Sequence, residues 1–293
     1  MKLLNKLVIL LFTFSFIVSV SVIRVTAALL SSGDDVSNFL ICGIDDAAGN
    51  SDTVMLVNAD ERTGKIKVLH IPRDTMVIYE SKRAKINSVF AISLSRGMSE
   101  KDSLTELKNC LSAGLNITFD ASCALKTSSI VNIVDALGGV TVFLDKEIRI
   151  KKENGDILRL ETGQNTLSGT DALCFLRHRK SYPNADLGRI TAQEIFIKAF
   201  LTKIASLDVG GFSKLYKAVS QNVVIDASLH SLSMIDKLVN YSKYKDVLFY
   251  TLPGETVTLN NRSYYKPDRN KAEIMLREFF ESSRINDGFF VCI

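Results

Sequence analysis

Residues 38–74 read NFLICGIDDAAGNSDTVMLVNADERTGKIKVLHIPRD. NFLICGID is an apolar run that ends in a turn, the pattern of a buried strand. DAAGNSD is rich in turn formers and makes a loop. TVMLVNAD is a second strand and ERTG a tight turn. KIKVLHIP is a third strand, ended by Pro72, which has no N–H to give a sheet ladder. The stretch is a β-hairpin set beside a first strand.

Helical patterns follow this stretch. Ser99 and Asp102 form a capping-box pattern ahead of Leu104, Leu107 and Leu111, which recur at helical spacing. SCALKT is a strand. SSIVNIVDAL is a helix ended by Gly138-Gly139, which suits a left-handed cap. VTVFLD returns as a strand. LSGTDALCFLR starts at Ser168 or Thr170 as N-cap, and GRITAQEIFIKAFLTKIASL is a long amphipathic helix. A further helix runs near Leu232 to Tyr241. DVLFYTL and VTLNN are late strands, and KAEIMLREFFE is a closing helix. Strands and helices interspersed in this way predict a layered α/β or α+β domain, with helices on both faces of a mixed sheet.

A chain of 293 residues, 46% hydrophobic, can bury one sizeable core or two small ones. A net charge of +4, no long Lys/Arg run and no zinc-finger spacing argue against a nucleic-acid partner. No internal repeat points to a solenoid. Cys42, Cys110, Cys123, Cys174 and Cys292 are scattered without CxxC spacing, and most lie in apolar runs as small core residues.

The N-terminus carries a separate signal. MKLLNK precedes LVILLFTFSFIVSVSVI, which has no charge until Arg24. Such a run approaches the length that crosses a bilayer, and Lys2 and Lys6 before it keep the N-terminus in the cytoplasm. Residues 1–27 are expected to be a transmembrane signal-anchor, 28–37 a linker and 38–293 the domain. Val25-Thr26-Ala27 leaves a cleaved signal peptide as the rival reading.

Candidate chemistry gathers at strand ends. Asp45 closes the first strand and Asp52 opens the second. Two hard oxygen donors of this kind suit Mg²⁺, whose remaining ligands are water and phosphate oxygens. Asp46 is a spare, and turn or cap roles are open to all three. Arg73 and Asp74 follow Pro72, where α/β sheets commonly bind ligands. Lys85 and Asn87 open an apolar helix.

FLRHRKSYPNADLGRITAQE (175–194) has three arginines with few acids to pair with them. Arg177 and Arg179 alternate, so an extended segment turns both to one side. Arg189 and Gln193 are four apart and share a helix face. In the first turn, Arg189 is disfavoured by the helix dipole unless an anion such as phosphate is near. Asp186 either steadies an arginine or caps the helix. A solvated basic loop is the plainer reading. Acids for a metal together with several cations are what phosphoryl transfer requires. No P-loop or kinase signature is present.

With its ordered motifs LICGID, NSDTVMLV, HIPRDTMV, KINSVFA, IVDALGGVTV, LSGTDALCFLRHR and DLGRITAQE, the chain resembles the LytR-CpsA-Psr family of cell-wall phosphotransferases. The resemblance runs from about Asn38 to Phe200 and less clearly onward. It implies a three-layer α/β/α sandwich around a mixed central sheet, with a hydrophobic tunnel for a prenyl chain. It also implies a membrane-anchored, Mg²⁺-dependent enzyme on the extracytoplasmic side of the cytoplasmic membrane. The donor would be a glycopolymer on a polyprenyl-pyrophosphate carrier: teichoic acid, capsule or another wall polysaccharide. The acceptor would be a peptidoglycan hydroxyl and the product a phosphodiester.

Position by position, Asp45 and Asp52 match the family's metal-associated acids. Arg73 matches the arginine expected to contact the pyrophosphate and stabilise the transition state, with Asp74 orienting it. Lys85, Arg177, Arg179, Arg189 and Gln193 match the pyrophosphate-binding set. Asp45 is the expected base. The chain departs from the pattern at Ala192-Gln193-Glu194, where the family usually carries an arginine followed by two glutamines, and it lacks a paired glycine around SLSRGMSE. A non-catalytic polyprenyl-phosphate-binding scaffold, or a regulator of envelope assembly, is the alternative.

Overall fold

The computed structural model describes residues 36–60, 63–152, 154–178, 185–226 and 246–280, with the backbone alone for 185–190 and 209. The expected anchor, nearly all of the linker, the expected helix near Leu232 to Tyr241, Arg179 and Cys292 lie outside them. Among the described residues no helix is long and apolar enough to cross a membrane.

The three runs of the central stretch are β1 (Val36–Ile44), β2 (Ser51–Asp60) and β3 (Lys65–Ile71). They pair antiparallel in sequence order, with Leu40 beside Leu56 and Leu56 beside Leu69. Downstream strands are β4 (Met76–Tyr79), β5 (Lys82–Lys85), β6 (Ala121–Lys126), β7 (Val140–Leu144), β8 (Ile148–Lys151), β9 (Ile157–Leu160), β10 (Gly163–Leu167), β11 (Val223–Ile225), β12 (Asp246–Thr251), β13 (Gly254–Leu259) and β14 (Arg262–Pro267). The described helices are α1 (Ile86–Ser95), α2 (Glu100–Leu115), α3 (Thr127–Ala136), α4 (Gly169–Arg177), α5 (Ala185–Ala205), α6 (Val209–Asn222) and α7 (Arg269–Phe280).

The central sheet has six strands in the order β11-β6-β1-β2-β3-β12. β6 runs parallel to β1 and β12 parallel to β3, while the other pairs are antiparallel, so the sheet is mixed as expected. Side chains alternate across a strand. Leu40, Cys42, Ile44, Val54, Leu56, Leu69 and Ile71 face α1, α2 and α7 and form the main core with Phe90, Leu107 and Leu276. The opposite face carries Val68, Ile66 and Ala59, against which Leu201 of α5 packs. Near its other edge Leu125 and Val223 pack with Ile133, Ile204 and Leu215 from α3, α5 and α6. Helices therefore cover both faces. Each fully buried Leu or Phe contributes about 1.5–3 kcal/mol.

Local chemistry sets the helix ends. The Ser99 hydroxyl accepts from the Asp102 amide at 3.1 Å and caps α2. Ser168, of the two expected caps, starts α4. Gly138 and Gly139 take φ values of 71° and 96° after α3, where the Gly139 amide returns to the Val134 carbonyl at 3.0 Å.

The structure also contains elements that the patterns did not announce: the β4–β5 and β8–β9 hairpins, β10 and β14, and α6. The β4–β5 turn is Glu80-Ser81, both left-handed with φ of 49° and 63° although neither is glycine or asparagine. Glu80 is ion-paired with Arg96, whose guanidinium lies over the Tyr79 ring. Among the described residues Cys42, Cys110 and Cys123 are free thiols. Burial pushes Cys110 up to about 11 and Cys123 up to about 12, which fits core packing.

Candidate active site

The site begins with an irregularity in the sheet. Gly43 pairs with Thr53, yet Ile44 pairs with Ser51, so Asp52 is the extra residue of a β-bulge. A bulge bends the strand and re-aims one side chain. Asp45 follows Ile44 at the end of β1. Its amide donates to the Asn50 carbonyl at 2.9 Å, and the Asp52 amide donates to the same carbonyl at 3.1 Å. One carbonyl thus ties together the backbones that carry both expected metal ligands.

Each carboxylate already has a cation. Arg73 Nη1 lies 3.0 Å from Asp52 Oδ1. Arg177 Nη2 lies 3.6 Å from Asp45 Oδ2, while Asp45 Oδ1 accepts the Ala47 and Ala48 amides at 3.1 and 2.8 Å. Lys85 Nζ lies 2.8 Å from Asp74 Oδ1. All six side chains keep partial exposure to water, so each pair contributes under about 1 kcal/mol. Ion pairs this weak are open to exchange with a ligand.

The turn after β3 is held from beneath. The Arg73 carbonyl accepts the Asn87 amide at 3.1 Å, and the Thr75 carbonyl accepts the Ile86 amide at 2.8 Å, which seats the start of α1 on this turn. Asp74 was expected to orient Arg73. Its ion partner is instead Lys85, and Asp52 is the carboxylate on Arg73. The β2–β3 register explains the difference, because continued two steps past Val54–Ile71 it sets Asp52 across from Arg73.

Arg177 also differs from the extended alternation expected of Arg177 and Arg179. It is the last residue of α4, and His178 after it is extended. A cation there is favoured by the negative end of the helix dipole. Its guanidinium donates to Thr127 Oγ1 at 3.1 Å, at the first residue of α3. Gln193 is 7% exposed and donates from Nε2 to Thr53 Oγ1 at 3.2 Å, next to the bulge. Arg189 stands one helical turn before Gln193 in α5, on the same face by its spacing. The described helix begins at Ala185, which puts Arg189 at the start of the second turn and not in the first.

The structure therefore brings together Asp45, Asp52, Arg73, Asp74, Lys85, Arg177 and Gln193 at one end of β1, β2 and β3. Sequence reasoning missed Thr53 and Thr127, which receive Gln193 and Arg177, because a lone threonine carries no spacing signal. Glu194, one of the departures, has its carboxyl raised above its ordinary range by burial, against the nearby Lys198. Among the described residues no cluster of three or more His, Cys, Asp or Glu could hold a metal. Two carboxylates on one tethered turn still fit Mg²⁺, which takes one or two carboxylates and draws its other ligands from water and phosphate. The arginine forks fit the phosphate oxygens themselves.

The fold and site define a mixed α/β domain with pairs of acids and cations at the mouth of its central sheet. The family model LytR_cpsA_psr matches residues 19–281, and the chain belongs to that family. It is 30% identical over 229 residues to the biofilm regulatory protein A of Streptococcus mutans, covering 74% of this chain and 54% of that protein. The chain thus spans about half the length of that relative. It is 26% identical over 254 residues to the polyisoprenyl-teichoic acid–peptidoglycan teichoic acid transferase TagU of Bacillus licheniformis, covering 85% and 78% of the two chains. The crystal structure of protein gbs0355 from Streptococcus agalactiae shares the fold, with a TM-score of 0.71, 24% identity and coverage of 88% and 92%.

Proposed function

We propose that this chain is a wall-glycopolymer phosphotransferase. It moves a polymer with one phosphate from a polyprenyl-pyrophosphate carrier to a peptidoglycan hydroxyl. The observation that carries the reading is the set of three exchangeable pairs, Arg73–Asp52, Arg177–Asp45 and Lys85–Asp74, at one sheet end of a family member. The naming of TagU as a teichoic acid transferase supports the substrate class.

In this reading Arg73, Lys85, Arg177, Arg179, Arg189 and Gln193 hold the pyrophosphate oxygens. The acceptor oxygen attacks the phosphorus that bears the sugar. The bridging P–O bond breaks, and polyprenyl phosphate leaves with the electron pair. Asp45 takes the hydroxyl proton. Arg73 faces the charge that builds on the phosphoryl oxygens, and a donor aimed at developing charge is often the largest catalytic contribution. Mg²⁺, held by Asp45 and Asp52, would supply charge neutralisation. The partly buried Phe39, Met55, Val57 and Phe249 lie on the α5 side of the sheet and suit the prenyl chain. Residues 1–27 anchor the chain in the cytoplasmic membrane, with the domain outside.

The test supplies the purified full chain with a lipid-pyrophosphate-linked saccharide, peptidoglycan oligomers and Mg²⁺. Mass spectrometry then seeks the phosphodiester. Metal-dependent product is expected. Lipid binding without product on any of several polymer classes would favour a scaffold instead.

A further inference from the structure

The acid that follows Asp45 has a separate task. The start of α3 lacks a cap of its own: its N-cap residue is Lys126, which makes no capping hydrogen bond and whose ammonium is paired with Glu100 at 2.5 Å. A helix start leaves several amides without partners and prefers Asp, Asn, Ser or Thr as acceptor. Here Asp46 supplies the acceptor from 82 residues away, its Oδ2 taking the Ser128 amide at 3.0 Å. Ser128 is the second residue of the helix, whose amide a local cap would ordinarily take. The carboxylate also lies at the positive end of the α3 dipole.

This cap joins two halves of the site. Thr127, between Lys126 and Ser128, accepts Arg177 at 3.1 Å and lies against the Ile44 carbonyl at 3.4 Å. At the far end of α3, Asp135 accepts the Gly169 amide at 2.7 Å, which fixes the start of α4. The α3 and α4 helices are tied at both ends, and Arg177 is delivered to the place where the Asp45 loop is pinned. Facing Asp46 from α3 is Ser128, whose hydroxyl lies 3.5 Å from Oδ1 in addition to the amide, with Lys126 drawn off to α2 by Glu100.

We propose that Asp46 is a positioning residue, a cap supplied in trans that holds the Asp45 loop on α3 and so sets Arg177 for the phosphate. The inference rests on the phosphate-handling reading of the site. The experiment measures geranyl pyrophosphate binding to the full chain by calorimetry with Mg²⁺ present, for Asp46→Ala, Asp46→Asn and Arg177→Ala, together with Tm. Asparagine accepts the same amide and caps about as well as aspartate. The expected result is about a fivefold loss of affinity in Asp46→Ala, on the scale of one lost cap, and near-complete recovery in Asp46→Asn. Wild-type affinity in Asp46→Ala with a loss in Arg177→Ala overturns the positioning role alone. Wild-type affinity in Arg177→Ala overturns the site reading and this inference with it. Equal losses in Asp46→Ala and Asp46→Asn reject the cap, since charge and not hydrogen bonding would then be at work.

Discussion

Arg73 and Asp52 lie 3.0 Å apart, and the same exchange is set up at Arg177 and Asp45. In each pair the cation belongs to the proposed phosphate set and the acid to the proposed metal set. In the proposed function, Mg²⁺ on the acids would free the arginines, and pyrophosphate on the arginines would free the acids. Binding of the two should be cooperative and reciprocal. Calorimetry should find at least about a tenfold gain in affinity for geranyl pyrophosphate at saturating Mg²⁺, within the usual range of coupling between sites, and an equal gain in the converse titration. Independent binding would remove the idea that the pairs exchange.

Arg73→Ala should reduce transfer by about 100-fold or more, the scale of losing one donor to a developing oxyanion. Tm should stay close to that of the parent, because a half-exposed pair contributes little. Arg73→Lys should restore only part of the rate, since lysine lacks the planar fork. An active Arg73→Ala enzyme would sink the assignment of this residue.

Gly169 packs against α3 with no room for a side chain. A Cβ there would stand 2.3 Å from the Val131 carbonyl oxygen and 2.8 Å from an Asp135 carboxylate oxygen. Gly169→Ala should cost about 1–3 kcal/mol of stability through overpacking. A denaturant titration with an unchanged midpoint would show that the two helices can part without penalty.

Glu194 gives a pH prediction. Burial raises its carboxyl in the folded chain above the usual value of 4.5. The folded state therefore holds that proton more tightly than the unfolded state. Relative to low pH, Glu194 costs stability as pH rises from the ordinary glutamate value through the raised one, and the cost is complete above it. Glu194→Gln should raise Tm at neutral pH and leave it nearly unchanged at pH 4. A Tm gain of the same size at both pH values would mean that titration is not the cause.

The β1–β2–β3 meander was legible because its turns use Gly49 and Gly64 at positive φ and its strands are continuous apolar runs. The caps of α2 and α4 were legible because serine side chains close on local amides. The β4–β5 hairpin was not, since Glu80 and Ser81 are not residues that announce a left-handed turn, and the surrounding packing fixes them there. The charged residues of the site could be read as types, but their partners could not. Asp52 reaches Arg73 across the β2–β3 register, and Asp46 reaches Ser128 across 82 residues. Both depend on register and tertiary distance, which one-dimensional spacing does not carry. The extended alternation expected of Arg177 and Arg179 does not hold at Arg177, because α4 extends through it, and Arg179 lies outside the described residues.

The strand order has a consequence for how the domain folds. Its three central strands are consecutive and joined by short turns, whereas the edge strand β12 reaches β3 from about 180 residues downstream. Loop closure over such a separation delays pairing relative to the local hairpins. As the chain is made, the meander with Asp45, Asp52 and Arg73 is complete more than 100 residues before Arg177 and Gln193 are joined to it. A nascent chain thus carries its acids and Arg73 as a half-built site, completed only when the late helices dock on the early strands.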